Sequence, residues 1–239
     1  MERVIGIIGA MDSEIALLCE RMALKTEHVA AGLTVYCGTL EGRSVAVVRC
    51  SEGKVRAALC AQMLIDRFGV TAVINTGVAG GLAPGLHVGA LVLATDAVQH
   101  DFDITAFGYV KGYVAGMGDG KSPTRYACDA DLCEAFRKAA AELLPAMGHA
   151  YIEGTVATGD VFVDDTDLKT ELITRYGAAA AEMEGGAIAA VCVQNAVPFV
   201  VVRAISDLAE GGATVSFETF EIEAARTSAA ITCRMLGCL

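Results

Sequence analysis

The sequence predicts an α/β fold: a single three-layer domain with a central mixed β-sheet flanked by helices. Three observations carry this expectation. Residues 199–202 form an unbroken apolar run rich in β-branched side chains, the pattern of a strand buried on both faces near the middle of a parallel or mixed sheet. Strand-like and helix-like patterns alternate along the chain without a linker, repeat or low-complexity tract, so residues 1–239 read as one unit. The composition is 54% apolar with 26 Gly and no Trp, which suits a compact enzyme with a sizeable core and argues against disorder.

In chain order, residues 4–8 read as a short strand, followed by Gly9 and a helical pattern from Asp12 that places Ile15, Leu18 and Met22 on one stripe. Asp12 or Ser13 is expected to cap that helix. Residues 33–37 and 44–50 read as strands joined by a turn at Glu41-Gly42, and residues 54–68 as an amphipathic helix. A buried strand over residues 70–75 runs into a Gly-rich turn, TGVAGGLAPG, and residues 90–95 form a further strand. Residues 100–123 read as a long loop. Beyond it the pattern gives a helix over 132–144, a strand over 150–158 and a helix over 164–176. A short small-residue stretch (178–184), an apolar helix (186–194), the buried strand at 199–202 and a closing helix (217–236) complete the chain.

Charge and cysteine content exclude several classes. The formal net charge is −11 and no Lys/Arg cluster stands out, so nucleic-acid binding through a basic face is not expected. The nine cysteines are odd in number and include no CxxC. They read as reduced thiols of a cytoplasmic protein. The first residues meet Asp12 and Glu14 too early for a signal peptide. The uncharged runs at 70–95 and 185–202 are broken by Gly, Pro, His and Asn, so neither reads as a membrane span.

Four stretches could carry chemistry. The strand at 199–202 delivers Arg203, Ser206 and Asp207 at its carboxyl end, where ligands sit in open α/β sheets. Asp207 is therefore either an ordinary strand-end carboxylate or a proton donor. Glu14 lies in a first helical turn, where the macrodipole alone would favour a carboxylate; the functional alternative is a general base acting on water. Thr76–Gly81 reads as a tight strand exit or as backbone open to a flat ligand. In Ala181-Glu182-Met183-Glu184, two acids bracket a Met, either as helix-start acids or with one accepting the adjacent hydroxyls of a ribose. Gly6–Gly9 lacks the dinucleotide spacing, and residues 115–122 lack the first Gly of a phosphate loop. The aspartates at 101, 103, 160, 164, 165 and 167 have no second His nearby, so a metal site is not expected.

Six motifs then occur in a fixed order: IGIIGAM with Glu14 (5–14), INTGVAGGLAP (74–84), HDFDITAFGY (100–109), TGDVFV (158–163), AEMEG (181–185) and VPFVVVRAISD (197–207). On these the chain resembles the bacterial 5′-methylthioadenosine/S-adenosylhomocysteine nucleosidases, within the purine nucleoside phosphorylase-like superfamily, from first strand to last helix. The resemblance implies a nucleoside phosphorylase/hydrolase-like fold and hydrolysis of an adenine N-glycosidic bond, with 5′-deoxyadenosine as a further candidate substrate. By resemblance, Asp207 protonates the base with Ser206 holding its carboxyl, Glu14 activates water, and Arg203 helps orient both. Met183 and Glu184 would contact the ribose, Phe162 would stack on the purine and the Val163 backbone would read its edge. Met11 and Phe217 would line the 5′-alkylthio pocket, while Val78, Ala79 and Gly80 lie beside the ribose and water. Ile104 and Phe107 would reach the site of a neighbouring subunit, implying a homodimer. No cofactor or metal is implied.

Two positions depart from the family pattern. Ser51-Glu52-Gly53 stands where a Gly-Ile-Gly turn is usual, and a carboxylate against an apolar thioether pocket is costly unless solvated or paired. Either Glu52 swings outward or the accepted 5′ group is more polar. Val78 stands where Ser is common, removing one hydrogen bond. Alternatives within reach are a purine nucleoside phosphorylase, a nucleosidase for another 5′-modified nucleoside such as aminodeoxyfutalosine, and a nucleoside-binding protein without activity.

Overall fold

In the computed structural model, which describes residues 3–239, all ten strands join one mixed sheet. The strand at the sequence's apolar run is longer than the pattern indicates. It is β10 (Phe199–Asp207), and every residue in it is buried. It pairs in parallel with β5 (Val70–Gly81) and antiparallel with β6 (Leu91–Gln99). β6 pairs with β8 (Tyr151–Thr158), β8 with β9 (Ala178–Glu182), and β9 returns to β5. Five strands thus close on one another. From β5 the sheet continues outward through β1 (Val4–Gly9), β4 (Arg43–Arg49), β3 (Leu33–Leu40) and β2 (Ala23–Ala30). A two-residue strand, β7 (Tyr126–Ala127), adds to β6.

The helices form the outer layers because the central strands are apolar on both faces. Along β10, Val200, Val202 and Ala204 pack on one side with Ile5 and Ile7 of β1 and Ile74 of β5. That face is covered by α1 (Asp12–Arg21), α3 (Ala130–Met147) and α6 (Ala213–Cys238). Phe199, Val201 and Ile205 point the other way with Val73, under α2 (Lys54–Phe68) and α5 (Gly185–Gln194). This period-two division is what a strand buried on both faces requires. A smaller cluster of Val98, Ala157 and Val163 lies against Leu172 and Tyr176 of α4 (Thr166–Tyr176).

Several local expectations need correction. The Gly-rich stretch at 76–81 is strand, not a turn, because Thr76–Ala79 stays in register with β10, Gly80 pairs with Asp207 after a one-residue shift, and Gly80 and Gly81 pair with β9. The first helix is capped at Met11, not at Asp12 or Ser13. Those side chains turn outward instead: Asp12 pairs with Arg49 at 3.2 Å and the Ser13 hydroxyl bonds Glu221 of α6. Asp165 caps α4, its carboxylate accepting the Leu168 amide at 2.8 Å. Asp164 instead accepts the Ala213 amide at the start of α6 at 3.0 Å. β2 has no counterpart in the sequence reading, since seven of its eight residues are exposed and show no inward-facing alternation. All nine cysteines are free thiols.

Candidate active site

Parallel strands all release their chains at the same end of a sheet, and crevices there collect side chains from several connections. Here β1, β4, β5 and β10, which run parallel, do so around a cavity of about 260 Å³. The chain following β8 and the end of β9, two strands antiparallel to β5 and β10, also reach it. Met11 enters it from the β1–α1 connection, Glu14 from the first turn of α1, Glu52 from β4–α2, and Val78, Ala79 and Gly80 from β5 itself. Phe162 comes from β8–α4, Glu182, Met183 and Glu184 from β9–α5, Ser206 and Asp207 from the end of β10, and Phe217 from α6. A recess of about 40 Å³ adjoins one end, where Val163 lies beside Phe162, Met183 and Asp207. The Phe162 and Phe217 rings meet edge-on at 5.7 Å across the cavity.

Most residues singled out from the sequence therefore meet in one place. Three do not line it. Arg203 lies behind the wall, almost wholly buried. Ile104 and Phe107 lie in and beside a 3-10 turn at Thr105–Phe107, away from their own chain's cavity, and Phe107 is 80% exposed.

Glu14 is held rigidly. Its Oε2 accepts the amides of Ala10 at 2.5 Å and Met11 at 3.0 Å, and its Oε1 accepts the Val78 amide at 2.9 Å. The amide of Val78, not its apolar side chain, is thus what position 78 gives the site. Burial pushes the Glu14 carboxyl above its ordinary value, against the opposing pull of Arg203 and these three amides. Asp207 is likewise raised by burial, and its carboxyl is fixed by the Ala209 amide at 2.8 Å and the Ser206 hydroxyl at 2.9 Å. Two carboxyls with raised pKa values, one in the first turn of α1 and one at the end of β10, facing one cavity, form the arrangement that general acid–base chemistry uses.

Behind them Arg203 and Glu184 join Glu182, which the motifs alone give no specific role, in a buried charge cluster. Arg203 Nη2 donates to Asn75 Oδ1 at 2.6 Å and to Glu182, and lies 3.7 Å from Glu184 Oε2. Glu182 also accepts the Thr158 hydroxyl and the amides of Glu184 at 3.1 Å and Gly185 at 2.7 Å, at the start of α5. One guanidinium faces three carboxyls here, so burial and the charge of Glu182 push Glu184 up to about 8. A carboxyl raised on folding from 4.5 to about 8 holds its proton when the unfolded chain has lost it. Its contribution to stability is complete below pH 4.5 and is lost as pH rises towards about 8. Thermal unfolding of the ligand-free protein should therefore show a Tm that falls across that interval, and Glu184→Gln should flatten the fall.

Gly77 makes this packing possible. It lies opposite Arg203 in the β5–β10 register. A Cβ there would stand 2.2 Å from Glu14 Oε1 and 2.7 Å from Arg203 Nη1, closer than any real contact. Both side chains cross the strand where position 77 has no side chain. Gly77→Ala should displace the Glu14 carboxylate and lower kcat/KM about 10²-fold. Parallel circular dichroism should show the fold retained, which separates displacement of Glu14 from unfolding.

The cavity lining carries five carboxyls, at 14, 52, 182, 184 and 207, and no Lys, Arg or His. Such a lining disfavours an anionic co-substrate such as phosphate. Among the described residues no group of three or more His, Cys, Asp or Glu is placed to hold a metal ion. No helix among them is long and apolar enough to cross a membrane.

Comparison with known proteins agrees with this geometry. The family model of the phosphorylase superfamily matches residues 4–237. A 5′-methylthioadenosine/S-adenosylhomocysteine nucleosidase of Anoxybacillus flavithermus is 44% identical over 237 residues, covering 98% of this chain and 97% of the relative. The crystal structure of the Neisseria meningitidis nucleosidase of that name, in complex with methylthio-immucillin-A, is 37% identical. It superposes with a TM-score of 0.92 over 99% of this chain and 100% of that one. Futalosine hydrolase of Helicobacter pylori has the same fold, with a TM-score of 0.91, 32% identity, and coverage of 99% of this chain and 98% of that one. The chain belongs to the 5′-methylthioadenosine/S-adenosylhomocysteine nucleosidase family of the phosphorylase superfamily.

Proposed function

We propose that the chain, acting as one nucleosidase unit over residues 1–239, hydrolyses the N-glycosidic bond of 5′-methylthioadenosine and S-adenosylhomocysteine, releasing adenine and the 5-thioribose product. The carrying observation is that Glu14 and Asp207, both with raised pKa values, line one cavity that has no basic side chain on its wall.

The purine lies at the recess, stacked against Phe162, with the Val163 backbone at its edge and Asp207 at N7. Glu184 accepts the 2′- and 3′-hydroxyls of the ribose, with Met183 against the sugar. Asp207 gives its proton to N7 as the bond from C1′ to N9 breaks and its electron pair passes into the purine. Glu14 takes a proton from water, whose oxygen forms the new bond to C1′. Nearby carboxylates stabilise the positive charge that develops on the ribosyl group. Arg203 acts from behind the wall, holding Glu182 and Glu184 in place and lowering the cost of charge on Glu14. Hydrolysis of 5′-methylthioadenosine would serve methionine salvage, in the cytoplasm. As a homodimer, its Ile104 and Phe107 would cap the 5′ pocket of the partner, which accounts for a phenylalanine left in solvent on a single chain.

The experiment is adenine release from 5′-methylthioadenosine, with S-adenosylhomocysteine, 5′-deoxyadenosine and aminodeoxyfutalosine run alongside. In phosphate-free buffer the first two should be turned over, with free 5-methylthioribose as the sugar product from the first. A requirement for phosphate, or a sugar phosphate as product, would replace the proposal with a phosphorylase. Turnover confined to aminodeoxyfutalosine would replace the substrate.

A further inference from the structure

Of the cavity carboxyls, Glu52 is the one that neither enters the acid–base scheme nor pairs with Arg203. Its position can be read from what surrounds the two ends of the site. The small recess holds Asp207, Phe162 and Val163 but none of Met11, Glu14, Glu52 or Phe217. Glu52 therefore belongs to the part of the cavity away from the purine recess. Its neighbour Gly53 donates its amide to Glu184 Oε1 at 2.9 Å, so Glu52 is one residue from the carboxylate assigned to the ribose. Met11 and Phe217, which line the cavity but not the recess, supply apolar walls there.

The loop that carries Glu52 is fixed. Ser51 and Gly53 on either side of it are both left-handed, with φ of 64° and 97°. The Gly53 amide is held by Glu184, and the next amide, of Lys54, is held by Asp160 Oδ1 at 2.8 Å. The nearby cations are already engaged: Arg49 pairs with Asp12 and Lys54 with Asp101. Glu52 itself is exposed and makes no hydrogen bond or ion pair among the described residues. A solvated carboxylate thus stands at the outer end of an acidic cavity with no partner among the described residues.

Building on the nucleosidase reading above, we propose that Glu52 forms a subsite for a positively charged group on the 5′ substituent, so that the enzyme selects adenosine thioethers bearing an ammonium tail over neutral ones of equal size. The homocysteine tail of S-adenosylhomocysteine contains such an ammonium, whereas the methyl group of 5′-methylthioadenosine does not. The carboxylate acts on binding of the tail and takes no part in breaking the glycosidic bond.

The test compares two thioethers of the same length, 5′-(3-aminopropylthio)adenosine and 5′-butylthioadenosine, in the wild type, Glu52→Gln and Glu52→Lys. The readout is the ratio of kcat/KM for the charged over the neutral substrate at low salt. An exposed charge pair is expected to give the wild type a preference of about five-fold, shrinking as salt is raised. Glu52→Gln should bring the ratio close to that of an uncharged pocket, and Glu52→Lys should invert it. An equal ratio in wild type and Glu52→Gln would overturn the subsite while leaving the nucleosidase intact. Failure of the wild type to release adenine from either thioether would overturn the nucleosidase reading itself.

Discussion

Asp207→Asn is expected to lower kcat on 5′-methylthioadenosine about 10³-fold, within the range a general acid contributes, with little change in KM. The amide keeps the size of the carboxyl and can still meet the Ala209 amide and the Ser206 hydroxyl, so the cavity wall should survive. What is lost is the proton. The loss should disappear with a leaving group that departs without protonation, such as 4-nitrophenolate on the same 5-methylthioribosyl group. An equal deficit on that substrate would mean that position 207 shapes the site and does not donate. The pH profile gives a second check. Burial raises the Asp207 carboxyl, so the wild type should lose activity on the alkaline side as that proton dissociates, and the variant should not show this limb.

Glu14→Ala should cost a comparable factor, about 10³-fold in kcat, by removing the group that accepts the proton of water. This side chain also satisfies the amides of Ala10, Met11 and Val78, so a lower Tm is expected as well. Added formate separates the two effects. A small carboxylate entering the vacated space can accept the proton, so it should restore part of kcat in Glu14→Ala and none in Asp207→Asn. Because Glu14 is raised by burial, the wild-type rate should climb from acidic pH as this carboxyl ionises. No restoration by formate at any concentration, with a folded variant, would argue against a base at this position.

The parts of this account that were legible in the sequence share a physical cause: they leave a local signature. The apolar run before Arg203 could only be a doubly buried strand, and β10 is buried throughout. α2 was read over the residues it occupies, 54–68, because its apolar stripe is complete. Glu184 and Asp207 stand out as carboxylates beside strand ends and Glu14 as an acid in a first helical turn, and the six ordered motifs tie all three to one pattern. The parts that were not legible depend on partners distant in the chain. Nothing local shows that β10 pairs with both β5 and β6 and so helps to close five strands on themselves. The sequence reading broke β5 at its glycines because Gly ordinarily ends a strand. In the fold they sit where Glu14 and Arg203 need the space at Gly77, and where Asp207 lies 3.0 Å from a Cβ added at Gly80. Glu182 was visible beside Met183, but its pairing with Arg203 appears only when β9 and β10 are brought together. β2 escaped notice because an edge strand exposed at nearly every position has no inward face to announce it.

The Glu52 loop shows the opposite relation. There the departure from the family pattern is plain in the sequence. The side chain is exposed, as an outward-turned carboxylate would be, and still it lines the cavity.

The central claim is that Glu14 feeds water to C1′ while Asp207 releases the base. It is tested most directly by turnover of 5′-methylthioadenosine in H₂¹⁸O containing excess inorganic phosphate, with mass analysis of the sugar before solvent exchange at the anomeric carbon. The account predicts one ¹⁸O at C1′ of free 5-methylthioribose at the first turnover, unaffected by phosphate. A phosphorylated sugar, or a product whose C1′ oxygen comes from phosphate, would contradict it.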